Sequence, residues 1–193
     1  MKTVPICTAL GTIVFSANLY ADEDLQAKYL MESRQTAQEF VQKLGGALKR
    51  QLQAGGPESA IGVCKEIAPA LAKQYSTDSR VVKRVSLKPR NKSLGTPDAW
   101  EERVLHNFDQ RTKSGRTSPN MEISAITQDE NGKWFRYMKA IPTQPMCLQC
   151  HGQPNDIPAG VKALLAKEYP NDKATGYSVG MIRGAVSIKQ AMD

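Results

Sequence analysis

Only two histidines and four cysteines occur in the 193 residues. Cys147 and Cys150 form the one Cys-x-x-Cys, and there is no His-x-His pair. A structural zinc site closes with four ligands in spaced pairs. Cys147, Cys150 and His151 are three, and Cys150 and His151 are adjacent, so a zinc ribbon or finger is excluded. The apolar stretch Val4 to Phe15 is too short to cross a bilayer comfortably. Internal repeats and low-complexity segments are absent as well. No set of residues suggests hydrolysis or group transfer, so a non-enzymatic role is expected. The 26 basic residues against 19 acidic ones give a net charge of +7. They are scattered, and the densest patch, "KRVSLKPRNK", reads as a solvated strand and loop rather than a nucleic-acid footprint.

What is present starts with the N-terminus. Met1-Lys2 is a short basic start, Val4 to Phe15 carries no charge, and "SANLYA" ends in small residues before "DED". This is the layout of a secretory signal peptide cleaved near Ala21. The expectation is a periplasmic protein of one domain, residues 22–193, with no membrane span in the mature chain. That chain loses Lys2, and its net charge falls to about +6. Cys7 would leave with the leader, and no lipobox surrounds it. Three cysteines then remain in an oxidising compartment: Cys64, Cys147 and Cys150. An odd count there needs an explanation.

Leu25, Tyr29, Leu30, Ala37, Phe40, Val41, Leu44 and Leu48 recur at helical spacing, which predicts a long helix over about residues 23–52. It could pair with a second copy or pack on its own domain. "AGGPE" ends it. A second helix is expected over about 58–75, with Ile61, Cys64, Ile67, Ala68 and Leu71 facing inward and Pro69 kinking it or starting a new one. "RVVKRVSL" reads as a strand. Thr96 is the expected N-cap of a helix holding Trp100, Val104, Leu105 and Phe108 inward. "MEISAITQDENGKWFRYMKAIP" reads as a hairpin turning at Asn131-Gly132. A short helix near 158–168 and a last strand, "IRGAVSIK", complete an α+β domain with helices on one side of a small antiparallel sheet.

The chemistry concentrates in "PMCLQCHGQP". A dithiol oxidoreductase would leave His151 without a role, and the βαβ context of such motifs is missing. Cys-x-x-Cys-His is the signature of covalent c-type haem attachment. Two thiols one turn apart reach two vinyl groups, and the next residue projects towards the iron as an axial ligand. The other axial position has several candidates. Met121, Met138, Met146 and Met181 are available, although Met146 lies too close to Cys147. His106 is a bis-His alternative. Cys64 is either a small core residue, the commoner place for a free cysteine, or a thiolate ligand that accounts for the odd count. A thiolate would favour the ferric state.

"AIGVCKEIAPALA", "VSLKPRNKSLGTPDAWE", "CLQCHG" and "YPNDKATGYSVGMIRGAVSI", in that order, resemble a bacterial family of single-haem sensor proteins, long carried as a domain of unknown function. It includes small exported proteins and extracytoplasmic parts of signalling receptors. The resemblance covers roughly residues 25–190. It implies a PAS-like fold, one covalent haem c, and axial ligation by His151 and Cys64. Arg90, Asn91 and Tyr177 occupy its motif positions and are expected to organise the pocket or the haem carboxylates. Met181 departs from the more usual "GDIRG". The expected function is a redox or CO/NO sensor, with a periplasmic electron-transfer cytochrome and its redox partner protein as the alternative.

Overall fold

The computed structural model describes residues 15–116 and 120–192, with side chains from Asp22 onwards. Most of the expected leader, residues 1–14, lies outside them. Among the described residues no helix is long and apolar enough to cross a membrane.

Helix α1 spans Phe15–Gly62 and is broken once, at Gly56 (φ 72°, ψ −174°). That is the expected "AGGPE" boundary, and glycine adopts this backbone without strain. The apolar face of α1 lies on the sheet through Leu25, Tyr29, Leu30, Ala37, Phe40, Val41 and Leu44. Ala37 and Phe40 are fully buried, and a buried Phe contributes about 1.5–3 kcal/mol. At Pro69 the chain takes the second of the two expected courses and starts a new helix, α2 (Ala68–Tyr75), with the proline in its first turn. Its ring cannot admit the carbonyl four residues back, and it has no N–H to return. Before α2 the chain widens into a π-helical turn, Val63–Ile67. Cys64 sits on this turn.

The next elements are β1 (Arg80–Val85), α3 (Lys92–Gly95), α4 (Ala99–Lys113), β2 (Glu122–Asp129) and β3 (Gly132–Pro142). After a 3-10 turn at Pro145–Cys147 come α5 (Leu148–His151), α6 (Ala159–Glu168) and β4 (Ile182–Met192). The four strands form one antiparallel sheet in the order β1-β4-β3-β2. The class is α+β, with a long N-terminal helix and helices flanking the sheet.

The expectation of helices on one side is corrected. Phe135, Tyr137, Val186 and Ile188 pack towards α1. Met138, Ala140 and Ala185 pack with Val104, Leu105 and Phe108 of α4 on the other face. β3 and β4 carry buried side chains in both directions, so both faces need a cover.

Two local expectations also change. The N-cap of α4 is Asp98, not Thr96. Asp98 accepts from Trp100 N at 3.0 Å and Glu101 N at 2.9 Å, and Glu101 accepts from Asp98 N at 2.8 Å. This reciprocal box satisfies more orphan donors than Thr96 can, and the Thr96 hydroxyl instead donates to Lys92 O at 2.6 Å. In the hairpin, Asp129 pairs with Gly132, so Glu130-Asn131 form the turn and Gly132 belongs to β3. Asp129 Oδ1 accepts from Asn131 N at 2.9 Å and shapes it.

Glu101 is the polar pin between α4 and the sheet. It is fully buried, accepts from Ser187 Oγ at 2.6 Å, and pairs with Lys83 at 2.9 Å and Arg136 at 3.5 Å. Glu101→Ala leaves Ser187 Oγ without its buried acceptor and Arg136 with Asp98 alone at 2.6 Å, and its expected cost is about 1–3 kcal/mol. Urea unfolding measures it, and a loss below about 1 kcal/mol, the level of an ordinary surface change, would contradict the assignment.

Candidate functional site

The Cys-x-x-Cys-His segment follows β3 directly, at the end of the sheet where β4 begins. Thr143 N donates to Met181 O at 2.8 Å and Gly180 N donates to Thr143 O at 2.9 Å, which ties the strand exit to the loop before β4. Pro145 opens the 3-10 turn, and Cys147 Sγ accepts from Gln144 N at 3.4 Å. The single turn of α5 then presents Cys150 and His151. It stops at Gly152, where a Cβ would lie 2.6 Å from Leu148 O. Only glycine fits so close to that carbonyl.

The loop 170–181 wraps His151. Tyr177 N donates to His151 O at 3.0 Å, and Gly176 N donates to Gly152 O at 2.8 Å. The His151 Nδ1 lies 2.7 Å from Ala174 O. A carbonyl only accepts, so Nδ1 carries the proton and Nε2 is the unprotonated ring nitrogen, approached by Arg183 Nε at 3.4 Å. Burial pushes the His151 pKa well below its ordinary value, and Arg183 and Arg90 push it the same way. The neutral imidazole, fixed by a backbone carbonyl, has the form in which histidines bind metals.

Arg90 is buried and held through Nε and Nη2. It pairs with Asp172 at 2.9 Å and donates to Cys150 O at 2.6 Å. It thus clamps the Cys-x-x-Cys-His turn to the loop. Tyr177 is buried, its ring edge-on to His151 at 6.3 Å. Lys88 and Arg183 lie over that ring at 4.7 and 5.4 Å. Asn91, by contrast, caps α3, accepting from Leu94 N at 3.2 Å and Ser93 Oγ at 2.8 Å.

Cys150 is half-buried against Ile61, Ile157, Val161, Leu165 and Tyr169, the apolar seam between the end of α1 and α6. Burial pushes its thiol up, outweighing Arg90, and Cys64, Glu58 and Cys147 add to the rise. A dithiol oxidoreductase needs the opposite shift. Burial is also the main perturbation of Tyr169 and Arg183, and Cys64 contributes at both. The π-turn cysteine therefore stands within electrostatic reach of the motif and of its cations. All three thiols are free.

The other expected ligands lie elsewhere. His106 is exposed on α4, 3.9 Å from Glu102. Met121 and Met138 are core residues between α4 and the sheet. Met146 is half-buried next to Cys147. Met181 is 41% exposed, and its sulfur accepts from Ser178 N.

Sequence reasoning missed Arg183, Lys88, Asp172 and Ala174. Arg183 Nε lies 3.2 and 3.4 Å from the two His151 ring nitrogens, and its Nη1 donates to Ser86 Oγ at 2.9 Å. Burial lowers its pKa to about 10. The signal was the small residue beside it: a Cβ at Gly184 would lie 2.3 Å from Val85 O, so β4 can meet β1 here only through glycine.

No group of three or more His, Cys, Asp or Glu among the described residues could hold a bare metal ion. The donor set suits an iron porphyrin instead: two thiols one turn apart, a neutral imidazole with Nε2 unprotonated, a third thiol within electrostatic reach, and cations for carboxylates.

The profile of the Tll0287-like family, described as Tll0287, matches residues 16–191. Among solved structures, the crystal structure of the cyanobacterial heme-protein Tll0287 is similar, with a TM-score of 0.55 and 24% identity over 89% of this chain and 96% of that one. At that identity the likeness establishes the fold. No curated protein matches.

Proposed function

This chain belongs to the Tll0287-like family, and on that premise we propose that it is an exported protein carrying one covalent haem c, acting in the periplasm as a redox or diatomic-gas sensor. The observation that carries this reading is the fixed tautomer of His151, with Nδ1 held by Ala174 O and Nε2 unprotonated. The similar cyanobacterial protein is itself a heme-protein, which supports it.

Cys147 and Cys150 would hold the group by thioether bonds, and His151 Nε2 and Cys64 Sγ would ligate its iron. When bound, the haem supplies a one-electron redox centre and a place for a diatomic molecule. Cys64 is the ligand positioned to give way. It sits on a π-turn, a form rare in helices and frequent at functional sites. Helix α2 continues from that turn onto the sheet core through Leu71, so release of Cys64 has a route outward. His151, held from both ring and backbone, stays.

The second reading is an electron-transfer cytochrome whose ligands never exchange. A cleft of about 360 Å³ beside the motif, lined by Pro145, Leu148, Gly152, Tyr177 and Val179, favours it as a place for a redox partner to approach. Adding CO or NO to the reduced protein separates the two. A Soret shift with loss of thiol ligation is expected, and an unchanged spectrum sinks the sensor reading.

A further inference from the structure

Four cations converge on the His151 side of the site: Arg84, Lys88, Arg90 and Arg183. Asp172 neutralises Arg90. Among the described residues, Arg84, Lys88 and Arg183 form no ion pair with any carboxylate. Lys88 points its ammonium at Thr175 O and the Tyr177 ring. Arg183 spends Nε on His151 and Nη1 on Ser86 Oγ and Lys88 O, and among the described residues Nη2 has no hydrogen-bond partner. All three of these cations are half-buried, and a cation taken partly out of water is stabilised by an anion beside it. A guanidinium with one edge free, packed against an imidazole and an aromatic ring, is built to take a carboxylate in a fork.

We propose that Arg183, assisted by Lys88, is the carboxylate-binding residue of this site and receives a haem propionate. The inference rests on the haem reading above. It adds to the motif-based expectation, which named Arg90, Asn91 and Tyr177 for the pocket or the carboxylates. Arg90 already has a carboxylate partner in Asp172 and a second contact at the Cys150 carbonyl, and Asn91 caps its own helix. Arg183 is a positioning residue: it touches the ring of His151 and the carboxylate at once. One charge pair therefore fixes the porphyrin edge and the plane of the axial imidazole together. Ser86 supports it, accepting from Arg183 Nη1 while its own hydroxyl donates to Arg183 O at 2.8 Å.

Resonance Raman spectra of the holoprotein, wild type beside Arg183→Gln and Arg183→Lys, test this. The propionate bending band is expected to shift to lower frequency in Arg183→Gln and to recover in part in Arg183→Lys, with the covalent haem retained in both. A merely structural arginine would leave that band in place, and an unmoved band overturns the proposal. Should Arg183→Gln fail to fold, the holoprotein crystal structure decides. Arg183 within hydrogen-bond distance of a propionate supports the pair, and a propionate directed to solvent overturns it. Wild type purified without covalent haem would instead overturn the haem reading on which the proposal rests.

Discussion

Changing Cys147 and Cys150 together to serine is expected to give a folded, exported protein with no covalent haem. Haem-linked peroxidase staining after denaturing electrophoresis should fall from full to zero, and the mass should drop by one haem. The argument is chemical and local. Both thiols lie on one face of a single turn, and no other cysteine is close enough in sequence to replace either. Both are half-buried, and Cys147 makes one weak contact, from Gln144 N. Serine therefore costs the apo fold about 1 kcal/mol or less, and circular dichroism should show native helix content. Covalent haem in the double variant would mean that another residue carries it. The single variants should fall between, with partial attachment through one thioether.

Cys64→Ala has the second large effect. The thiolate signature of the low-spin ferric protein, by EPR and by charge-transfer absorption, should vanish while covalent haem and His151 ligation remain. The midpoint potential should rise by roughly 100 mV or more, within the span of about 0.8 V over which axial ligands act. The direction follows from the electron density a thiolate donates, which favours Fe(III). Were Cys64 only a core residue, the truncation would cost stability and leave the spectrum alone. An unchanged signal in Cys64→Ala removes it from the site.

Much of the fold was readable because periodicity survives where one face of an element is buried. The α1 stripe from Leu25 to Leu44, the β2–β3 hairpin and the last strand all carry it. The two-sided cover of the sheet was harder to read. Ser187 and Arg136 look solvent-facing in sequence, yet each is buried against Glu101 by a long-range contact that no local pattern encodes. The π-turn was half-legible: Pro69 forbids a regular helix, but whether the chain bends or widens depends on what packs around it. At the site, Cys147, Cys150 and His151 stood out because a short motif holds them together. Arg183 did not. It lies 32 residues from His151, in a largely buried strand, and only the loop that wraps the motif brings the two side by side.

Iron K-edge X-ray absorption of the oxidised wild-type protein tests most directly whether the motif and Cys64 are two halves of one centre. A first shell of five nitrogens and one sulfur is expected, the fifth nitrogen being His151 Nε2 and the sulfur Cys64. A shell of six nitrogens would contradict it.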